Sequence, residues 1–413
     1  MTPEPGVGYF QLMHSTLTHS PEPGTPVAWP RFLKDVFVCS LGAYGGPEAH
    51  FGVFMQQLVQ RRRYLSEEEL LELLALCSML PGPTSTQTIV AVGYKKGGPV
   101  LALLTMLVWA LPVLALMTAF SFLYQLLSER QLSANFFRWV GPMAVGFIIS
   151  AAWRIGRKVA KDWLTVVLLV GSALLSWQFR QPWVFPLLLL AGGLSTMLAA
   201  RQKDMFNRVQ VRPRWLYLLL FGGIAAGALV LAGTNTWLLA DLFEKFYRFG
   251  YLVFGGGQVV VPLMYTELVE VNGYLSGSEF LTGYGLVQGL PGPMFSFAAW
   301  AGALAARSGG TWMQLAGAVA GGVGIFLPGL LLIYFIYPLW EELKQIKAIK
   351  LALRGINAAA GGLIISAGLV LLQRQGLQIA PLAVSLGSAA LLLFTKLPAT
   401  LLVVAALGAG LLF

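Results

Sequence analysis

The sequence predicts an all-α polytopic integral membrane protein, folded as two inverted-topology repeats with re-entrant half-helices broken at Gly and Pro. Three observations predict it: the composition, a match of the chain to itself, and the placement of its basic residues. Of 413 residues, 57% are hydrophobic and 11% charged, against roughly 25% charged in an average soluble domain. Leu101 to Tyr124, Leu216 to Ala232, Trp312 to Tyr337 and Leu382 to Phe394 carry no charge at all. Several of these stretches approach the ~20 residues that a helix needs to cross a bilayer, and others are shorter. A large soluble protein with buried helices does not fit this composition.

The internal match is long and ungapped. Gly45 to Pro83 aligns with Gly255 to Pro293 at a constant offset of 210, and fourteen of the thirty-nine pairs are identical. They include Tyr64-Leu65-Ser66 with Tyr274-Leu275-Ser276, Glu69 with Glu279, and Pro81-Gly82-Pro83 with Pro291-Gly292-Pro293. A six-residue shift carries the match onward through Leu111-Pro112 with Leu327-Pro328, Ile148-Ile149-Ser150 with Ile364-Ile365-Ser366, and Pro182 with Pro398. In so apolar a chain, a duplication of this size points to a secondary transporter with its substrate site between the repeats.

The net charge of +10 points to membrane topology and not to nucleic acid. Arg61 to Arg63, Lys95, Lys96, Arg154, Arg157, Lys158 and Lys161 make nine basic residues in the first half, and the equivalent second-half positions hold one, Arg374. Conversely, Lys344, Lys347 and Lys350 have only Arg130 and Arg138 near their counterparts. Basic loops stay cytoplasmic, so the same loop faces opposite sides in the two repeats. The expected organisation is a flexible cytoplasmic tail over 1–30, a first repeat over 31–200, a basic cytoplasmic loop plus linking helix over 201–234, and a second repeat over 235–413. The single helix from Trp215 to about Thr234 turns the second repeat over. The tail has no apolar core with a cleavage site. Cys39 and Cys77 offer neither a disulfide framework nor zinc spacing.

If Arg61 to Arg63 and Lys95-Lys96 both face the cytoplasm, the apolar stretch between them must enter the membrane and return. Its centre is Pro81-Gly82-Pro83, where two prolines exclude a continuous helix. Half-helices are expected from Glu68 to Leu80 and Thr84 to Tyr94, and again from Lys34 to Tyr44 and Glu48 to Gln60, around Gly45-Gly46-Pro47. Irregular backbone at membrane depth survives only where protein buries it or where it lines a wet cavity. The four breaks, at Gly45, Pro81, Gly255 and Pro291, therefore mark the site, with Gly46, Pro47, Pro83, Gly256 and Pro293 completing them.

The half-helix after Pro83 begins Thr84-Ser85-Thr86-Gln87, which puts unpaired N–H groups, a positive dipole end and hydroxyls together. That set favours an anion. Its mate keeps Ser296 as a hydroxyl, and Gln258 stands where the first half has Glu48. The expected binding set is Gly82, Thr84, Ser85, Thr86, Gln87, Gln258, Gly292 and Ser296, with Gly45, Gly46, Gly255 and Gly256 permitting close backbone approach. A carboxylate in the apolar zone is expensive, so Glu48 is either a proton carrier, with His50 assisting, or a solvated helix cap. Lys95 and Lys96 would draw an anion to the cytoplasmic entrance, or else anchor a helix end. No HExxH, CxxC or GxSxG pattern occurs, which argues against a membrane enzyme. An anion channel would use the same half-helix ends without coupling to a proton gradient. No cofactor or metal is expected.

The run Tyr44-Gly45-Gly46-Pro47-Glu48-Ala49-His50, the Arg cluster, Glu67-Glu68-Glu69 and Leu80 to Gln87 resemble the first domain of the chromate ion transporter (CHR) family. Phe254 to Pro262 and Gln288 to Pro293 resemble its second domain. The resemblance covers the chain from about residue 30. It implies a long-chain, two-domain member of the bacterial inner membrane with about thirteen helical segments, exporting chromate with the proton motive force. Sulfate, of the same charge and shape, remains an alternative substrate, and a homodimer is left open.

Overall fold

A computed structural model describes residues 27–44, 47–200, 213–234, 237–254, 257–340, 347–376 and 378–412, and these are helices and connecting turns with no strand among them. The first half runs α1 (Trp29–Gly42), α2 (Pro47–Phe54) continued by a π-helical segment (Met55–Arg61), α3 (Glu67–Met79) and α4 (Thr84–Glu129), which is broken at Gly97-Gly98. The short α5 (Ser133–Phe136) and then α6 (Val140–Val159), α7 (Trp163–Gln178) and α8 (Val184–Ala199) follow. A lone helix, α9 (Trp215–Gly233), leads into the second half.

The second half has the same order. It comprises α10 (Leu238–Tyr251), a 3-10 turn with α11 (Val261–Tyr265) and a π segment (Thr266–Val271), and α12 (Gly277–Gln288). Next come α13 (Phe297–Ala305), entered through a 3-10 turn at Met294–Ser296, and α14 (Thr311–Ile336). It closes with α15 (Lys347–Gln375), α16 (Ile379–Phe394) and α17 (Ala399–Leu412). These are more helical pieces than the resemblance implies, because the breaks split what would otherwise count as single segments. The first helix starts at Trp29; residues 1–26 of the expected tail and the basic stretch 201–212 lie outside the described residues.

Local chemistry explains the boundaries. Ser66 and Ser276 each accept a hydrogen bond from the amide of the Glu three residues on, while Glu69 and Glu279 accept from the serine amides in return. This reciprocal cap starts α3 and α12 at matching positions. Pro-Gly-Pro stops both helices. At 13 residues, α3 is only about 20 Å long, short of a bilayer core of roughly 30 Å. A Glu69–Lys95 ion pair joins the start of α3 to the end of the half-helix after Pro83, so α3 and the first part of α4 form a hairpin. Glu279 and Arg307 close the equivalent hairpin of the second half. Asp35 of α1 meets Gln57, Arg62 and Tyr64 at the far end of the α2 segment, which makes α1 and α2 a hairpin too.

Among the described residues, Thr84–Glu129, Trp215–Gly233, Thr311–Leu339 and Ala348–Gln375 are long and apolar enough to cross a membrane. Trp29, Trp163, Trp183, Trp215, Trp237 and Trp312 are exposed at or just before helix starts, where amphipathic rings suit a membrane–water interface. The protein is an all-α, multi-pass membrane protein. The halves interlock through their last helices, with α15 lying against α6, α7 and α8. Gly192 and Gly355 meet backbone to backbone, and the Thr196 hydroxyl donates to the Leu351 carbonyl at 2.6 Å. Small residues permit this close approach between helices in lipid.

Candidate functional site

Each Pro-Gly-Pro tip is hydrogen-bonded to the other half. The Gly82 amide donates to the Val253 carbonyl at 2.8 Å, and the Gly292 amide donates to the Ala43 carbonyl at 2.7 Å. Gly82 and Gly292, like Ala43 and Val253, are 210 apart, so each half's Pro-Gly-Pro tip is held by the end of the other half's first hairpin. Both tip glycines have left-handed backbone, with φ of +131° and +98°. A Cβ on Gly82 would come 2.5 Å from Nε2 of Gln87, and one on Gly292 would come 2.7 Å from a methyl of Val113. The long helices join the same centre at their inner prolines, where Pro112 precedes Val113 and Pro328 precedes Gly329. Gly329 lies against Gln87 and Pro83.

At the start of α4 most polar side chains have partners, although Oε1 of Gln87 is buried without one. Ser85 is hydrogen-bonded to Nδ1 of His50 at 3.0 Å, and Thr86 accepts from the Trp109 indole at 3.1 Å. Gln87 donates to the Pro81 carbonyl at 2.9 Å, and Thr88 to the Thr84 carbonyl at 2.8 Å. Trp109 stands edge-on to His50 and Phe54, with centroids 5.5 and 5.2 Å away, and Ser40 donates to its carbonyl. His50, Ser85, Thr86 and Gln87 are all buried. Pro83 caps the helix without a side-chain hydrogen bond, so the first-turn amides of Thr84, Ser85 and Thr86 have no intrahelical acceptor. A cavity of about 10 Å³, bounded by Pro83, Thr86, Gln87, Val90, Met106, Phe326, Gly329 and Leu330, lies beside this turn. That is room for about one water.

The second half presents a different surface. Ser296 is fully buried and its hydroxyl has no hydrogen-bond partner. Gln258 sits half-buried in the 3-10 turn ahead of α11. Gly45, Gly46, Gly255 and Gly256 lie outside the described residues; Pro47 and Glu48 begin α2, with their side chains outside the description. The Lys95 ammonium is engaged by Glu69, and Lys96 beside it is half-buried.

Sequence reasoning missed the charge that the hairpins hold. In the first half, buried Asp35 accepts from Gln57 at 2.9 Å, Tyr64 at 2.6 Å and Arg62 at 2.9 Å. In the second, Arg248 spans two carboxylates, donating to Glu244 at 2.7 Å and to both oxygens of Glu267. Asp241 holds Lys245 and Tyr274. A signal existed: ionised residues inside otherwise apolar hairpins. Trp109, Tyr284 and Gln288 gave none, since apolar or amide side chains on a buried helix read as packing.

The family model for chromate transporters matches the chain in two regions, residues 31–197 and 240–411. The chromate transport protein of Pseudomonas aeruginosa is 29% identical over 352 residues, covering 82% of this chain and 80% of its own. The probable chromate transport protein of Synechococcus elongatus is 28% identical over 384 residues, with 91% and 94% covered. The chromate transport protein of Cupriavidus metallidurans is 28% identical over 378 residues, with 89% of each chain covered. No solved structure matches the chain.

Proposed function

The chain belongs to the chromate transporter family, and on that premise we propose that it is a secondary active transporter that exports chromate across the bacterial inner membrane. The proton motive force drives it, and export confers chromate resistance. The observation that carries this reading is the exchange of hydrogen bonds between the tips, Gly82 to Val253 and Gly292 to Ala43. It gathers broken backbone from both halves around the unpaired amides of one helix start, which is the environment a dianion needs.

In this reading the halves are inverted repeats over 31–200 and 235–413, joined through 201–234, and the hairpins are re-entrant. The anion is received by the first turn of α4, at Thr84, Ser85, Thr86 and Gln87 beside Gly82, together with Gln258, Gly292 and Ser296 of the second half. Glu48 exchanges the coupled proton, with His50 as its relay to Ser85. The narrowness of the cavity beside α4 favours a carrier that opens to one side at a time over a standing channel. Sulfate is the alternative cargo, being of the same charge and shape.

The test is uptake of labelled chromate into everted membrane vesicles, with and without an uncoupler and with excess sulfate. Uncoupler-sensitive accumulation is the expected result. Flux that ignores the gradient would replace the carrier with a channel, and movement of sulfate in place of chromate would change the cargo within the same chemical class.

A further inference from the structure

Equivalent positions of the two Pro-Gly-Pro hairpins treat their polar atoms differently. In the first half, Thr86 accepts from Trp109, position 74 is an apolar leucine, and Ser78 donates to the Leu74 carbonyl. The residues 210 further on are Ser296, Tyr284 and Gln288. The Ser296 hydroxyl, the Tyr284 hydroxyl and Nε2 of Gln288 are each buried without a hydrogen-bond partner. Ser296 is 0% and Tyr284 1% exposed.

All three lie on one hairpin, on either side of the Pro291-Gly292-Pro293 tip. Tyr284 and Gln288 are four residues apart on α12, so they share a face of the helix. The Tyr284 ring meets the Phe297 ring nearly perpendicular, centroids 6.3 Å apart, and Phe297 is both the first residue of α13 and the neighbour of Ser296. That face of α12 is therefore turned toward the start of α13, with Gln288 one turn nearer the Pro291-Gly292-Pro293 tip. Leaving a buried polar atom unpaired is costly, and native proteins hold few such atoms unless a ligand or water completes them. All three are donors. A fully ionised tetrahedral oxyanion only accepts, and it accepts from several directions at once.

We propose that Tyr284, Gln288 and Ser296 are the side-chain donors of the oxyanion site. The second half thus supplies donor side chains with no partner at all, while the start of α4, where Ser85 is bonded to His50 and Thr86 accepts from Trp109, supplies backbone amides. This deepens the reading of the chain as an oxyanion carrier and rests on it.

The experiment uses the full chain, purified and reconstituted in liposomes, with Tyr284→Phe, Ser296→Ala and Gln288→Leu made singly and chromate and sulfate as probes. Each variant is expected to raise the KM for the transported anion about tenfold, with the effect on KM and not on kcat. Without anion, the melting temperature of Tyr284→Phe and Ser296→Ala should hold or rise, because an unsatisfied atom has been removed. Stabilisation of the protein by added chromate should shrink in each variant. An unchanged KM together with a lower melting temperature would overturn the assignment and make these groups structural. A raised KM in Thr86→Ala with none in Tyr284→Phe would return the donor role to the first half. Wild-type protein that moves neither anion and gains no stability from either would overturn the carrier reading itself, a failure visible before any variant is made.

Discussion

In α1 and α10, positions 210 apart carry opposite charges: Arg31, Lys34 and Asp35 stand against Asp241, Glu244 and Lys245. The hairpins built on them share a backbone course and differ in how each buried ion is kept. Asp35 has three donors, two of them neutral, so no single partner is indispensable. Glu244 and Glu267 lean on one guanidinium, that of Arg248. A repeated skeleton therefore does not bring repeated energetics, because the security of a buried carboxylate depends on the number and kind of its donors and not on the fold that carries it.

Replacing the arginines is the most forceful way to break that comparison. Arg248→Met should destabilise the protein by about 3–5 kcal/mol, since it strands two buried carboxylates. Arg62→Met should cost about 1.5–3 kcal/mol, because Gln57 and Tyr64 still serve Asp35. Thermal or denaturant unfolding in detergent measures both, and equal losses would show that the neutral donors contribute nothing.

The tips allow a second, smaller contrast. Gly82→Ala and Gly292→Ala each force a side chain onto left-handed backbone, which costs about 1–3 kcal/mol. At Gly82 the intruding methyl meets the far end of the mobile Gln87 side chain, whereas at Gly292 it meets the stiff, β-branched Val113. Gly292→Ala should therefore lose more transport per folded molecule than Gly82→Ala, measured as chromate uptake normalised to the amount of protein in the membrane. The reverse order would mean that the Gln87 to Pro81 hydrogen bond matters more than the packing of Val113.

The smallest effect lies where the π segments end. Arg63 has φ of +52° and its counterpart Gly273 +61°. Arg63→Gly should raise stability by about 0.5–1 kcal/mol, as the left-handed penalty of an L-residue exceeds the extra chain entropy of glycine. A loss of stability there would show that the Arg63 side chain has a partner worth more than the strain.

Much of the architecture was legible because it rests on local chemistry. The Pro-Gly-Pro runs exclude a continuous helix, so the interruptions at Pro81 and Pro291 could be read directly. Helix ends moved by only a few residues: α1 begins at Trp29, and the half-helix after Pro83 runs to Lys96 before Gly97-Gly98 turns it into the long apolar helix. The π-helical geometry of Met55–Arg61 and Thr266–Val271 was not legible, since residue type hardly separates an i−5 bond from an i−4 bond.

The sequence by itself determined that the chain is a helical membrane protein with duplicated, interrupted hairpins, because hydrophobic runs, breakers and caps act over a few residues. Only the tertiary structure decided which tip meets which, with Gly82 on Val253 and Gly292 on Ala43. It also decided which polar groups are spent and which are left over. Thr84 to Gln87 read as the richer donor set, yet Ser85, Thr86 and the Gln87 amide nitrogen have partners in His50, Trp109 and Pro81, while the Tyr284 and Ser296 hydroxyls have none. Whether a polar group has a partner depends on residues such as Trp109, 23 residues from Thr86, or on a tip 171 residues away, as Gly82 is from Val253. No local pattern encodes a contact at that separation; it exists only once the helices have packed.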